Sequence, residues 1–189
     1  MLKYILLCFC GMISLCAISK ACRCFTRHPQ TNFCEADYAI KADILKEDVI
    51  GQFGRRRYRV KVLKNYKSGY AKPFEFSEVW IYSPETCRVS LDTRSTYVIT
   101  GAIRDDNFTA SSCSWNVKTS DLTTFQSNAL RHGVYKKNCN CKIKECPQND
   151  CNQGEGCFAP YDKQFCYHQK AVCKQSPYSK TCEWTSNTC

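Results

Sequence analysis

Residues 35–44 read EADYAIKADI, with Ala36, Tyr38, Ile40, Ala42 and Ile44 on alternate positions and Glu35, Asp37, Lys41 and Asp43 between them. A period of two is that of a strand burying one face and wetting the other. Tyr58, Val60 and Val62 alternate with Arg57, Arg59 and Lys61 in a second such strand. Residues 74–82, 88–91 and 96–103 read as further strands, and residues 108–113 as a weaker one. A helix follows: Ser120 or Asp121 caps it, Leu122, Phe125 and Ala129 share one face, and Gly133 ends it. Five or six short strands and one helix within residues 22–139 predict a mainly β fold. The expected form is a small closed barrel, with the OB topology as one option.

The chain has 189 residues, 17 of them cysteine, and a formal charge of +10. Lys3 opens a short basic segment, residues 4–18 are an apolar run, and Ser19-Lys20-Ala21 places small residues at −3 and −1 of a cleavage site. That is the layout of a secretory signal peptide over residues 1–21, and the run is short for a membrane span of about 20 residues. The rival reading is an uncleaved signal anchor. Cleavage after Ala21 makes Cys22 the first residue. It removes Cys8, Cys10 and Cys16, leaving fourteen cysteines, and removes Lys3 and Lys20, leaving a charge of +8. An even count in a secreted chain reads as seven disulfides formed in an oxidising, extracellular compartment. Zinc knuckles are the alternative reading of the cysteine pairs.

The cysteines divide the chain. Positions 22, 24, 34, 87, 113 and 139 are widely spaced, whereas 141, 146, 151, 157, 166, 173, 182 and 189 crowd into the last 49 residues. Residues 22–139 can build an apolar core. Residues 140–189 are too short and polar to do so without staples. The expected boundary is Asn140.

No HExxH helix, Gly-rich phosphate loop or GxSxG elbow occurs, so the common metalloprotease, nucleotide-binding and hydrolase signatures are absent. The three histidines, at 28, 132 and 168, build no catalytic constellation. His28, before Pro29, and His132, in the last helical turn, read as structural. The sequence therefore predicts a protein that is not an enzyme.

Cys22-x-Cys24, His28-Pro29-Gln30, Phe33-Cys34 and Asp37 resemble the amino-terminal signature of the tissue inhibitors of metalloproteinases. The resemblance continues through Val89-Ser90-Leu91-Asp92, residues 97–101, Cys139-x-Cys141-Lys142-Ile143, Cys146-Pro147, Cys151 and Cys182-x-Trp184. It implies an OB-fold, netrin-like inhibitory domain over residues 22–139 and a smaller disulfide-rich domain over 140–189. By the same analogy Cys22 pairs with Cys87, Cys24 with Cys113, Cys34 with Cys139, Cys141 with Cys182, Cys146 with Cys151 and Cys157 with Cys173. Cys166 and Cys189 have no counterpart in the family's usual twelve-cysteine pattern and are paired as a seventh bridge.

The implied function is secreted inhibition of zinc metalloendopeptidases. A catalytic zinc has three protein ligands and one open position. The free α-amine and the carbonyl oxygen of Cys22 can close a five-membered chelate there. An α-amine with a pKa near 7.7–8.0 loses its proton at little cost. Bridges at Cys22 and Cys24 hold this terminus rigid, which lowers the entropy of docking. The protein then has no cofactor of its own, and the zinc concerned is that of the target protease. Contact residues implied are Cys22, Arg23, Cys24 and Phe25, with Pro84, Glu85, Thr86, Cys87 and Arg88 brought alongside by the first bridge.

Arg23 departs from the family, which carries Thr or Ser at this position, entering the pocket beside zinc. Burying an unpaired guanidinium costs several kcal/mol. Either the target pocket is roomy or acidic, or the stem packs and the head reaches water, or inhibition of matrix metalloproteinases is weakened or lost. Arg88, where relatives commonly carry Gly, raises the same question. A netrin-type matrix or growth-factor adaptor is the alternative function, and it does not need Cys22 to be residue one.

Arg55, Arg57, Arg59 and Lys61 occupy alternate positions and on a strand point to one face, about 6.6 Å apart. Sulfated glycosaminoglycan is the polyanion such a row would meet outside the cell. The alternative is a solvated face on an outer strand, where charge discourages edge pairing. No stacking motif accompanies the charge, so nucleic acid is not an expected partner. Asn107-Phe108-Thr109 is a candidate N-glycosylation acceptor.

Overall fold

The computed structural model describes residues 22–51, 54–67, 72–147, 151, 155–179, 181–186 and 189. The signal-peptide reading of residues 1–21 lies outside them. No helix among the described residues is long and apolar enough to cross a membrane.

The alternation in residues 35–44 becomes strand β1 (Tyr38–Ile50), which pairs antiparallel with β2 (Arg55–Asn65), Ile44 opposite Val60. The next elements are β3 (Glu78–Tyr82), β4 (Thr96–Arg104) and β5 (Asn107–Thr109). The strands run in the order β1-β2-β3-β5-β4, and β4 returns to pair with β1. The β3–β5 pairing is parallel and the others are antiparallel. This closed five-stranded sheet has the OB topology, so the barrel expected from the sequence is the one formed. Gly101 is required where β4 crosses β1. A Cβ there would collide with the Thr109 carbonyl oxygen and the Tyr38 hydroxyl. A short strand, β6 (Asn116–Lys118), adds to the free edge of β4.

The inward residues are those of the period-two pattern: Tyr38, Ile40, Ala42 and Ile44 from β1, and Tyr58, Val60 and Val62 from β2. Ile81, Tyr97 and Ile99 join them, and Val89 and Leu91 fill the barrel from a loop. Burying one such side chain contributes about 1.5–3 kcal/mol.

Val89 and Leu91 are therefore buried, between exposed Arg88 and Ser90, without forming a strand apart from one bridge between Arg88 and Ser111. Side chains satisfy their backbone instead. Val89 N donates to Ser83 Oγ (3.0 Å) and Leu91 N to the Tyr58 hydroxyl (3.4 Å). That hydroxyl donates in turn to Val89 O (3.2 Å). Residues 74–77 also differ from expectation. They form a turn in which Phe74 and Phe76 are exposed, Phe76 N binds Val62 O, and the strand starts only at Glu78. The 108–113 strand is confined to residues 107–109.

A second layer lies outside β1 and β4. Helix α1 (Pro29–Glu35) was not anticipated; its cap is His28, whose Nδ1 accepts the Gln30 N–H. Helix α2 (Thr124–Arg131) is capped by Thr123 in a reciprocal pair with Gln126 rather than by Ser120 or Asp121, which sit in a preceding 3-10 turn. Gly133 turns left-handed after it, and α3 (Val134–Lys137) follows. Phe33, Ala129, Leu130 and Tyr135 pack on Ala39 and Val98, the outward residues of the two strands.

The cysteine-rich region has two small sheets. β7 (Ile143–Cys146) runs parallel to β8 (Cys157–Pro160), and β9 (Cys173–Gln175) antiparallel to β10 (Cys182–Trp184). Helix α4 (Gln164–Lys170) lies between them in sequence. The buried cluster here is mostly sulfur: Cys141, Cys157 and Cys173, flanked by Ile143, Cys182 and Trp184. Bridges join Cys141 to Cys182, Cys146 to Cys151, Cys157 to Cys173 and Cys166 to Cys189. Val172 enters the second-layer core of the barrel region. The buried Gln30 amide donates to Asn138 O and Cys173 O and accepts from Cys173 N.

Candidate functional site

Cys22 and Cys24 are two residues apart, so in an extended chain their side chains leave on the same side. They are bonded to Cys87 and Cys113, each pair with Cα atoms 5.0 Å apart. The two disulfides lie against each other, with Cys22 Sγ 3.4 Å from Cys24 Sγ and 3.6 Å from Cys113 Sγ. Ser112 Oγ is 3.7 Å from both amino-terminal sulfurs. The four sulfurs are close enough to suit a metal. Metal binding needs thiolates, and sulfur held in disulfides offers none. A third bridge, Cys34–Cys139, ties α1 to the end of the barrel region.

Two loops of the barrel support this terminus. Cys87 adopts a left-handed conformation (φ 58°), which costs a residue with a Cβ about 1–2 kcal/mol. Its carbonyl accepts the Ser112 N–H at 2.8 Å, and Arg88 Nε donates to Glu85 O at 3.1 Å. The arm Cys22, Arg23, Cys24 and Phe25 thus stands beside Pro84, Glu85, Thr86, Cys87 and Arg88. All are exposed except the half-buried Cys87, and Phe25 is 79% exposed. Ser111, Ser112 and Ser114 brace the same edge, and the sequence reading missed them. No local pattern marks a serine that is useful only because a disulfide 89 residues long brings it there.

A groove of about 650 Å³ flanks the edge, lined in part by Arg55, Tyr82, Pro84, Glu85, Arg104 and Asn107. Asn107 is exposed at the start of β5, and its Nδ2 donates to Asp105 O.

The basic row is mostly neutralised. Arg55 faces Glu85 (3.5 Å), Arg57 faces Asp48 (3.2 Å) and lies over the Trp80 ring, and Arg59 faces Glu78 (2.6 Å). Lys61 has no ion pair among the described residues. β2 lies between β1 and β3, so the row is not on the outer strand that the solvated-face reading supposed.

His28 is fully buried, and burial, with His168 nearby, lowers its pKa to about 4. It is a neutral structural residue: Nδ1 caps α1 and Nε2 lies 3.1 Å from Tyr167 O. His132 ends α2 as its C-cap.

The family profile described as "Tissue inhibitor of metalloproteinase" matches residues 20–189. "Metalloproteinase inhibitor 3" of Scyliorhinus torazame is 34% identical over 138 residues, covering 71% of this chain and 64% of that protein. "Metalloproteinase inhibitor 2" of Homo sapiens is 34% identical over 158 residues, covering 75% and 69%. "Tissue inhibitor of metalloproteinase" of Drosophila melanogaster is 27% identical over 174 residues, covering 90% and 74%. The match to the Scyliorhinus protein spans less than two thirds of its length. With the profile running from the double-disulfide edge through the cysteine-rich region, this chain belongs to the tissue inhibitor of metalloproteinase family.

Proposed function

We propose that the protein is a secreted inhibitor of zinc metalloendopeptidases, presenting the Cys22 arm and the Pro84–Arg88 loop as one edge to the protease cleft. The observation that carries this reading is the pair of adjacent disulfides. They pin Cys22 and Cys24 to two loops of a barrel while residues 22–27 stay exposed. The three relatives named above bear metalloproteinase-inhibitor names. Removal of residues 1–21 frees the Cys22 amine. That amine and the Cys22 carbonyl then occupy the open position on the target's zinc, in a geometry the bridges have already fixed. Residues 22–139 form the inhibitory unit and residues 140–189 a second domain that supports it. Arg23 makes no ion pair among the described residues, so the preferred protease supplies an acidic wall or an open exit for the guanidinium.

The test compares protein beginning at Cys22 with protein carrying one added Ala before it, against a panel of zinc metalloendopeptidases. The extended form keeps its circular dichroism and loses inhibition by at least about a hundredfold, because the added residue removes the chelating amine and fills the space beside zinc. Equal potency of the two forms rejects zinc chelation. No inhibition by either form rejects the function.

A further inference from the structure

The stretch between Cys24 and α1 is held by the cysteine-rich region. Glu145 on β7 places Oε1 2.5 Å from the His28 backbone nitrogen, which donates to it. The same oxygen is 3.0 Å from His168 Nε2 on α4. Gln164, at the start of α4, donates from its Nε2 to Thr26 O. The Glu145 and His168 side chains are 14% and 11% exposed, so these contacts are largely shielded from water. Burial pushes the Glu145 carboxyl up, and the His168 imidazole, the His28 N–H and Gln164 together bring it below the usual range. Arg27, between the two anchor points, is bidentate to Glu35 of α1 (2.5 and 2.6 Å).

We infer that Glu145 is a positioning residue for the inhibitory edge: its carboxylate holds the His28 N–H while the neighbouring Gln164 holds Thr26 O, and together they set the aim of the Cys22 arm. The inference rests on the proposed function above. Disulfides fix the arm at residues 22 and 24 but leave residues 25–27 exposed with no core of their own. Buried His28 and the helix behind it seat the far end of this stretch; contacts that fix its backbone close to the exposed residues remove freedom that docking would otherwise have to remove. A carboxylate suits the task because it accepts from a backbone amide and an imidazole at once, and hydrogen bonds to a charged acceptor are the stronger kind.

The experiment uses the full secreted chain and three variants, Glu145→Ala, Glu145→Gln and Gln164→Ala. Hydrogen exchange of residues 22–28 and the inhibition constant against one sensitive metalloendopeptidase are both read. Glu145→Ala raises exchange at residues 25–28 with residues 38–44 unchanged, and weakens inhibition about tenfold. Gln164→Ala does the same several-fold, and it carries the test if Glu145→Ala fails to fold. Glu145→Gln restores most of both, because an amide oxygen still accepts the His28 N–H. General destabilisation would instead raise exchange in the barrel strands as well. Unchanged arm exchange overturns the clamp, and raised arm exchange with unchanged potency overturns the positioning role. If the parent inhibits no metalloendopeptidase, the proposed function falls. Exchange at residues 25–28 then decides the clamp by itself, with protection retained in Glu145→Ala overturning it.

Discussion

The barrel buries tyrosine, isoleucine, valine and leucine side chains from four strands and a loop around one axis, whereas the cysteine-rich region packs Cys141, Cys157 and Cys173 against a single tryptophan and an isoleucine. Three bridges serve residues 22–139 and mainly fix its edges; four serve residues 141–189 and supply its core. The difference follows from size. A segment of some fifty residues cannot remove enough apolar surface from water to offset its chain entropy, so covalent links that restrict the unfolded chain take over. The barrel can then vary its surface loops, while the smaller region tolerates polar sequence as long as its cysteines stay in place.

The largest effect expected is on the smaller region. Replacing Cys141 and Cys182 together with Ser opens a loop of 41 residues and costs roughly 4 kcal/mol in the chain-entropy model. Hydrogen exchange should then show protection lost across residues 141–186 and kept in β1 and β2. A single cooperative loss of both regions would break the comparison.

The seam between the regions gives the next effect. His28 is neutral in the folded protein down to a pKa of about 4, while the unfolded chain binds a proton below about 6.5. The unfolded state therefore holds more protons between these values, and stability falls as pH drops through that window, by up to roughly 3 kcal/mol. The depressed Glu145 carboxyl adds a loss in the same direction at lower pH. Denaturant melts from pH 7 to 4 measure the slope. His28→Asn, which retains a capping acceptor for α1, should flatten it. An unaltered slope in that variant would mean that the seam does not couple the two regions to pH.

The smallest effect belongs to the barrel. Tyr58→Phe leaves Val89 O and the Leu91 N–H buried without their partner, at a cost of about 2 kcal/mol. The loss should appear as raised exchange at residues 88–92 with the cysteine-rich region unaffected. Raised exchange in residues 141–186 would show that the barrel core also supports the smaller region.

Much of the barrel was legible in the sequence because a strand's period depends on neighbours only two residues away. Residues 38–44 and 58–62 face as their alternation says. The same rule misread Phe74 and Phe76, whose alternation is that of two exposed rings on a turn whose backbone bonds to β2. It also took buried Val89 and Leu91 for a strand, since burial and strand pairing leave the same mark on a sequence. Helix α1 escaped notice because its cap is a histidine and its length is only seven residues.

Composition and pattern alone therefore determined a mainly β barrel followed by a cysteine-dense segment. The resemblance in the cysteine signature singled out Cys22 as the residue of interest. Only the tertiary structure decided that Arg55, Arg57 and Arg59 of the basic row pair with Glu85, Asp48 and Glu78. It also set Ser111, Ser112 and Ser114 to brace the exposed edge, and brought Glu145 from 117 residues away to hold His28. The physical reason is range. Periodicity and capping are settled by neighbours along the chain, whereas an ion pair, a disulfide-held ridge or a buried carboxylate depends on which distant segments the closed barrel places side by side.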